Sequence, residues 1–127
     1  MPHILVVDDD PDSREALSRM LERRGHHTTS VPNGREALAV LTSSAPDLIV
    51  LDLRMPQMDG IMFLDVLRSY LRLQHIPVLL MTAYSESPEL TRAEALGIRA
   101  TFPKGEGDFN ELLDAVDREV GPARPPA

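Results

Sequence analysis

The sequence predicts an α/β fold: a doubly wound, five-stranded parallel sheet in the order 2-1-3-4-5, with helices on both faces in three layers. Three observations predict it. Ile4-Leu5-Val6-Val7, Leu48-Ile49-Val50-Leu51 and residues 76 to 81 are short runs without a charged side chain, as the buried strands of parallel sheets are. Helical patterns alternate with such runs five times along 127 residues, the rhythm of βα units. Right-handed crossovers then make 2-1-3-4-5 the expected order, with a switch point between strands 1 and 3. In an open sheet of this kind the ligand crevice lies outside the carboxyl ends of the strands.

Each element has a local reason. Residues 3 to 7 form the first strand. Asp10-Pro11 opens a helix, with Asp at the N-cap and Pro at the first helical position. Ala16, Leu17, Met20 and Leu21 make its apolar face, and Gly25 stops it. His26 to Val31 reads as a polar edge strand supported by Thr28 and Thr29. Asn33 with Glu36 starts the second helix as a capping-box variant, and Ala37, Leu38 and Leu41 face the core.

Pro46 ends that unit, and residues 47 to 51 form the third strand. A loop with Pro56 and Gly60 follows, then a helix with Leu64, Leu67 and Leu71 in register. Residues 76 to 81 form the fourth strand. The fourth helix, near residues 86 to 96, has the poorest pattern, with Pro88 early and only Leu90, Ala93 and Leu96 apolar, and is expected to be short or mobile. Residues 98 to 103 form the fifth strand. Phe109, Leu112, Leu113, Val116 and Val120 mark the last helix. Residues 1 to 120 read as one domain and 121 to 127, with three prolines, as a tail or linker remnant.

Composition narrows the function. Apolar residues make up 43% and charged residues 26%, a globular balance, while 4% aromatics imply an aliphatic core. A formal net charge of −7 disfavours binding to a nucleic-acid backbone. No apolar stretch approaches the roughly 20 residues of a membrane span, and no signal peptide is visible. The absence of cysteine fits a cytoplasmic location.

The strand ends carry the chemistry. The first predicted strand stops at Asp8-Asp9-Asp10, the third at Asp52, the fourth at Thr82, and the fifth at Lys104. Asp10 is spent on the helix cap. Asp8, Asp9 and Asp52 would repel one another unless a cation sits among them. Mg²⁺ suits such a set, because it takes a few carboxylates together with phosphate oxygens and keeps some waters. Asp52 is the candidate nucleophile, since a carboxylate can attack a phosphoryl donor and form an acyl phosphate. Lys104 is the only lysine beside twelve arginines. Its compact ammonium can pair with Asp52 and then with a phosphoryl oxygen. Thr82 offers a hydroxyl to the same group. The four histidines lack metal-ligand spacing and are given no role.

These residues resemble the receiver domain of two-component response regulators, which share the flavodoxin-like, CheY-like three-layer sandwich. The resemblance runs from Ile4 to about Val120. It rests on Val6-Val7-Asp8-Asp9-Asp10, on Leu51-Asp52-Leu53-Arg54-Met55-Pro56-Gln57-Met58-Asp59-Gly60, on Met81-Thr82-Ala83 and on Lys104. It implies Asp52 as phosphoacceptor and Mg²⁺ held by Asp9, Asp52 and the backbone carbonyl of Arg54, with Asp8 assisting. It also implies Thr82 and Lys104 on the phosphoryl group. The implied partners are a histidine kinase or histidine phosphotransfer protein as donor and an unknown output protein or domain.

The chain departs from the family pattern in three places. Thr101 stands where the family usually has Tyr or Phe, and Phe102 is expected on the other side of its strand. Gly105 follows the lysine in place of proline, while Pro103 precedes it, a change tolerable at a sheet edge. Arg54 and Tyr84 occupy variable places beside the acceptor.

The leading expectation is a phosphorylatable signalling module rather than a turnover enzyme. It would change partner binding through the last two helices and the fifth strand. Two alternatives compete. One is a receiver-like adaptor whose interactions ignore phosphorylation. The other is a haloacid-dehalogenase-type phosphatase, in which Asp8 and Asp10 would form an Asp-x-Asp pair.

Overall fold

In the computed structural model of the protein, residues 2–53, 60–83, 87–104 and 109–121 are described. Five parallel strands alternate with five helices. They are β1 (His3–Val7), α1 (Pro11–Arg23), β2 (His27–Val31), α2 (Gly34–Leu41), β3 (Leu48–Asp52), α3 (Gly60–Ser69), β4 (Val78–Thr82), α4 (Pro88–Leu96), β5 (Ala100–Pro103) and α5 (Asn110–Val120). The strand order is β2-β1-β3-β4-β5, as the sequence predicts.

Alternation along the strands builds two cores. Leu5, Val7, Ile49, Leu51, Val78 and Leu80 face α2, α3 and α4, where they meet Ala37, Leu41, Phe63, Leu64, Leu67, Leu90 and Ala93. Ile4, Val6, Leu48, Val50, Leu79 and Met81 face α1 and α5, against Leu17, Leu21, Leu112, Leu113 and Val116. The central strands are therefore apolar on both faces, which is why their runs lack the period-two alternation of a half-exposed strand.

The caps follow the local chemistry. Asp10 accepts from the Asp12 amide and Pro11 opens α1. At the other end the His26 amide donates to the Leu21 carbonyl and the Gly25 amide to the Glu22 carbonyl. Gly25 has φ 89°, so the helix closes in a Schellman turn that glycine adopts without penalty. Asn33 accepts from the Glu36 amide to start α2. Ser87, which the sequence pattern did not single out, accepts from the Leu90 amide and starts α4.

Several boundaries differ from expectation. His26 precedes β2 rather than opening it, because its amide completes the turn after α1. The third strand runs 48 to 52 and the fifth begins at Ala100 rather than residue 98. The fourth begins at Val78 rather than residue 76; Ile76 is buried, but its amide closes a turn on Leu73. Leu71 does not belong to α3. The helix ends at Ser69, tight turns follow, and Leu71 is 85% exposed while Leu73 and Ile76 enter the core. The helix α4 is nine residues long, one more than α2, and Pro88 sits in its first turn, where no amide is needed. Residues 122 to 127 lie outside the described residues.

Arg68 explains how α3 can stop so abruptly. Its guanidinium donates to the carbonyls of Gln74, Ile76, Leu96 and Gly97. One side chain thereby ties the turn before β4 to the turn before β5, satisfying carbonyls that no helix or strand uses. A second tie joins α5 to the corner between α1 and β2. Buried His26 lies with Nε2 2.7 Å from Asp117 Oδ1, and Arg24 donates to both Asp114 and Asp117. Burial alone would raise the Asp117 carboxyl, but the bonds from His26 and Arg24 outweigh it and hold the group below its usual range.

Candidate functional site

Sheet order brings the strand ends together. Helix α1 leaves β1 for one face and α3 leaves β3 for the other, so the chain parts between the two central strands. Asp8 follows β1 there, and Asp52 ends β3 beside it. Strand β4 ends at Thr82, and β5 is followed by Lys104, whose amide donates to the Thr82 carbonyl at 2.9 Å. Pro103 is accommodated because β5 is at the edge of the sheet and, among the described residues, pairs only with β4.

Asp8, Asp52 and Thr82 are buried, whereas the Asp9 side chain is 40% exposed. The ligand oxygens of Asp8, Asp9 and Asp52 lie within 4.8 Å of one another. Lys104 Nζ reaches into this cluster. It donates to Asp52 Oδ2 at 2.6 Å and to Asp8 Oδ1 at 2.7 Å, and lies 3.8 Å from Asp9 Oδ1. Asp8 Oδ1 also accepts from the Asp10 amide. Among the described residues, buried Asp8 Oδ2 has no hydrogen-bond partner.

Electrostatics follows from this crowding. Burial pushes the Asp52 carboxyl up to about 7, Lys104 opposes the rise, and the Asp8 charge adds to it. Burial alone would lower the Lys104 ammonium, but its bonds to Asp52 and Asp8 raise it instead. The site thus holds a poised carboxylate against a firmly charged amine.

The structure brings Asp8, Asp9, Asp52 and Lys104 into one cluster, and Thr82, at the end of β4, is joined to Lys104 through its own carbonyl. Arg54 lies outside the described residues, as do Tyr84 and Gly105. Asp10 is exposed and caps α1, so it does not join Asp8 as a catalytic Asp-x-Asp pair. Thr101 is exposed on the α4 side of β5, in register with Leu80, while Phe102 packs among the residues facing α1 and α5.

One supporting residue read in the sequence only as loop punctuation is Gly60. Its amide donates to the Leu53 carbonyl, and a Cβ added there would lie 2.7 Å from that oxygen and 3.1 Å from the Asp52 carbonyl oxygen. Both are backbone atoms and cannot swing aside. Replacing a glycine inside a helix by alanine ordinarily stabilises by about 0.5–1 kcal/mol, a gain that shrinks at a first position such as Gly60. Here Gly60→Ala is expected to reverse that sign, destabilising by about 1–3 kcal/mol through overpacking. Urea unfolding of the two proteins checks it, and a stabilised variant would show that the close approach is not a constraint.

Residues 4–117 match the response regulator receiver domain family. The chain belongs to that family. This receiver is 36% identical over 115 residues to sporulation initiation phosphotransferase F of Bacillus subtilis, covering 91% of this chain and 90% of that protein. It is 37% identical over 117 residues to the transcriptional regulator NtrC of Salmonella typhimurium, covering 92% of this chain but 24% of NtrC. Among solved structures, the receiver domain of a Syntrophus aciditrophicus histidine kinase aligns with TM-score 0.86 at 35% identity, over 94% of this chain and 90% of that one. The Thermotoga maritima regulator TrrA, in complex with Mg(2+)-BeF, aligns with TM-score 0.82 at 32% identity, over 94% and 100%. Membership places the receiver apart from haloacid-dehalogenase-type phosphatases. Among its described residues no helix is long and apolar enough to cross a membrane.

Proposed function

We propose that this receiver is the phosphoacceptor module of a two-component phosphorelay, with Asp52 taking a phosphoryl group from a phosphohistidine. The observation that carries the reading is the buried bridge from Lys104 to Asp52 and Asp8, with Asp8 Oδ2 left unpartnered beside it. An unpaired buried carboxylate oxygen is costly unless something positive meets it, and three carboxylates suit a hard, oxygen-seeking ion. The residues therefore fit Mg²⁺, held by Asp8, Asp9 and Asp52. By the family resemblance the backbone carbonyl of Arg54, outside the described residues, would be a further ligand. When bound, Mg²⁺ neutralises charge on the phosphoryl oxygens.

The chain's own groups account for the transfer. An ionised Asp52 oxygen attacks phosphorus. The new P–O bond forms as the P–N bond to imidazole breaks, and the electron pair leaves on the imidazole nitrogen. Lys104 shifts from the Asp52 carboxylate to a phosphoryl oxygen, and the Thr82 hydroxyl donates to another. The product is an aspartyl phosphate on the receiver, with no turnover of a free substrate. The donor is a histidine kinase or histidine phosphotransfer protein, and the phosphorylated form changes its affinity for an output partner. The Mg(2+)-BeF complex of TrrA supports the metal and phosphoryl assignments. Labelling with a small acyl-phosphate donor, in Mg²⁺ and in EDTA, tests the proposal.

A second reading, in which partner binding ignores phosphorylation, is favoured by one observation. Thr101 lies exposed where an aromatic side chain would couple the site to the α4–β5 surface, and Phe102 faces the opposite side. Amide spectra with and without beryllofluoride in Mg²⁺ separate the two. Shifts reaching β5 and α5 are expected for the phosphorelay reading, and shifts confined to Asp8, Asp9, Asp52 and their neighbours favour the adaptor.

A further inference from the structure

We infer that Arg14 is a positioning residue for the cation site, and this rests on the phosphoacceptor reading above. Strand β1 pairs with both neighbours as far as Val7. The Asp8 amide still donates to the Val31 carbonyl, but the Asp8 carbonyl lies beyond the ladder. Arg14, one turn into α1, reaches back and donates to that carbonyl from Nη1 at 2.7 Å. The remaining polar atoms of Asp8 are then accounted for. Oδ1 accepts from Lys104 and the Asp10 amide, and Oδ2 alone is uncommitted.

Arg14 is only half-buried and follows Asp8, Asp9, Asp10 and Asp12 closely in sequence, yet among the described residues it forms no ion pair. A guanidinium present to neutralise the acids would engage a carboxylate bidentately. This one engages backbone instead. It fixes the peptide joining Asp8 to Asp9, so both carboxylates are presented from a held main chain. Groups that hydrogen-bond a metal ligand directly ordinarily matter about 10- to 100-fold for metal affinity; Arg14 acts through the ligand's main chain, which puts its effect at the lower end.

Charge and position predict opposite signs, and that makes the inference testable. Removing a cation from beside an Mg²⁺ site, by charge alone, tightens binding. Removing the hold on the Asp8 carbonyl weakens it. Mg²⁺ titration of the full chain, followed by amide shifts or calorimetry, compares wild type with Arg14→Met and with the milder Arg14→Gln. Amide spectra in EDTA establish that each variant is folded. Arg14→Met is expected to bind Mg²⁺ about tenfold more weakly, with Arg14→Gln between it and wild type. If either folded variant binds as tightly as wild type, or more tightly, the positioning role is wrong. A wild-type chain that binds no Mg²⁺ overturns the phosphoacceptor reading itself, which keeps the two failures apart.

Discussion

Asp52→Asn is expected to abolish phosphoryl labelling completely, while wild type takes up one phosphoryl group per chain in Mg²⁺ and none in EDTA. The carboxamide keeps the shape of the residue but has no anionic oxygen to attack phosphorus. Persistent labelling, read by intact mass, would falsify Asp52 as the acceptor. The same substitution has a second expected effect of known sign. Burial raises the folded-state Asp52 carboxyl to about 7, above its value in an unfolded chain near 3.9. A raised group contributes stability that is fully present below the unfolded pKa and is lost as pH rises through the folded one. Without Mg²⁺, wild type should therefore lose stability between about pH 4 and pH 7 through this residue. Asp52→Asn removes that loss, on the order of 2–4 kcal/mol by pH 8. Urea unfolding in EDTA at pH 5 and pH 8 checks the sign. If the variant gains nothing relative to wild type between the two, burial does not control this carboxylate.

Lys104→Met should act in the opposite direction. Methionine keeps most of the stem but leaves Asp8 and Asp52 buried without their shared cation. Breaking a buried pair by removing one partner strands the remaining charge, and about 3 kcal/mol is expected at pH 8. Because Lys104 is what opposes the rise of the Asp52 carboxyl, its removal moves that carboxyl above 7. The loss should thus shrink at pH 5, where protonation relieves the repulsion. Millimolar Mg²⁺ should restore part of the stability at pH 8, by supplying another positive charge to the same oxygens and by favouring the folded state that binds it. Unchanged stability at pH 8 without Mg²⁺ would mean the bridge is not a net contributor. Labelling should also slow, since the ammonium that meets the phosphoryl oxygen is gone.

What was legible in the sequence came from local pattern. The runs ending at Val7 and Leu51 announced buried parallel strands, and Asp10-Pro11 announced a helix start, because periodicity and capping involve residues within one or two turns. Where a local pattern had two continuations, it misled. Leu64, Leu67 and Leu71 share a helical face on paper, but Arg68 collects four carbonyls and the chain turns instead. The histidines looked idle, yet His26 is buried against Asp117, 91 residues away. Nothing near His26 in the chain signals that partner.

The chain's own spelling was sufficient for the strand-helix rhythm, the sheet order and the short list of groups at the strand ends, since burial of aliphatic runs and the hand of βαβ crossovers leave little choice. It could not show that one ammonium bridges two carboxylates, that Gly60 lets α3 approach the end of β3, or that Arg14 grips the Asp8 carbonyl. Lys104 and Asp8 are 96 residues apart, and their meeting depends on where β1, β3, β4 and β5 finally lie side by side. Contacts of that kind are set by packing in three dimensions, which no short window of sequence encodes.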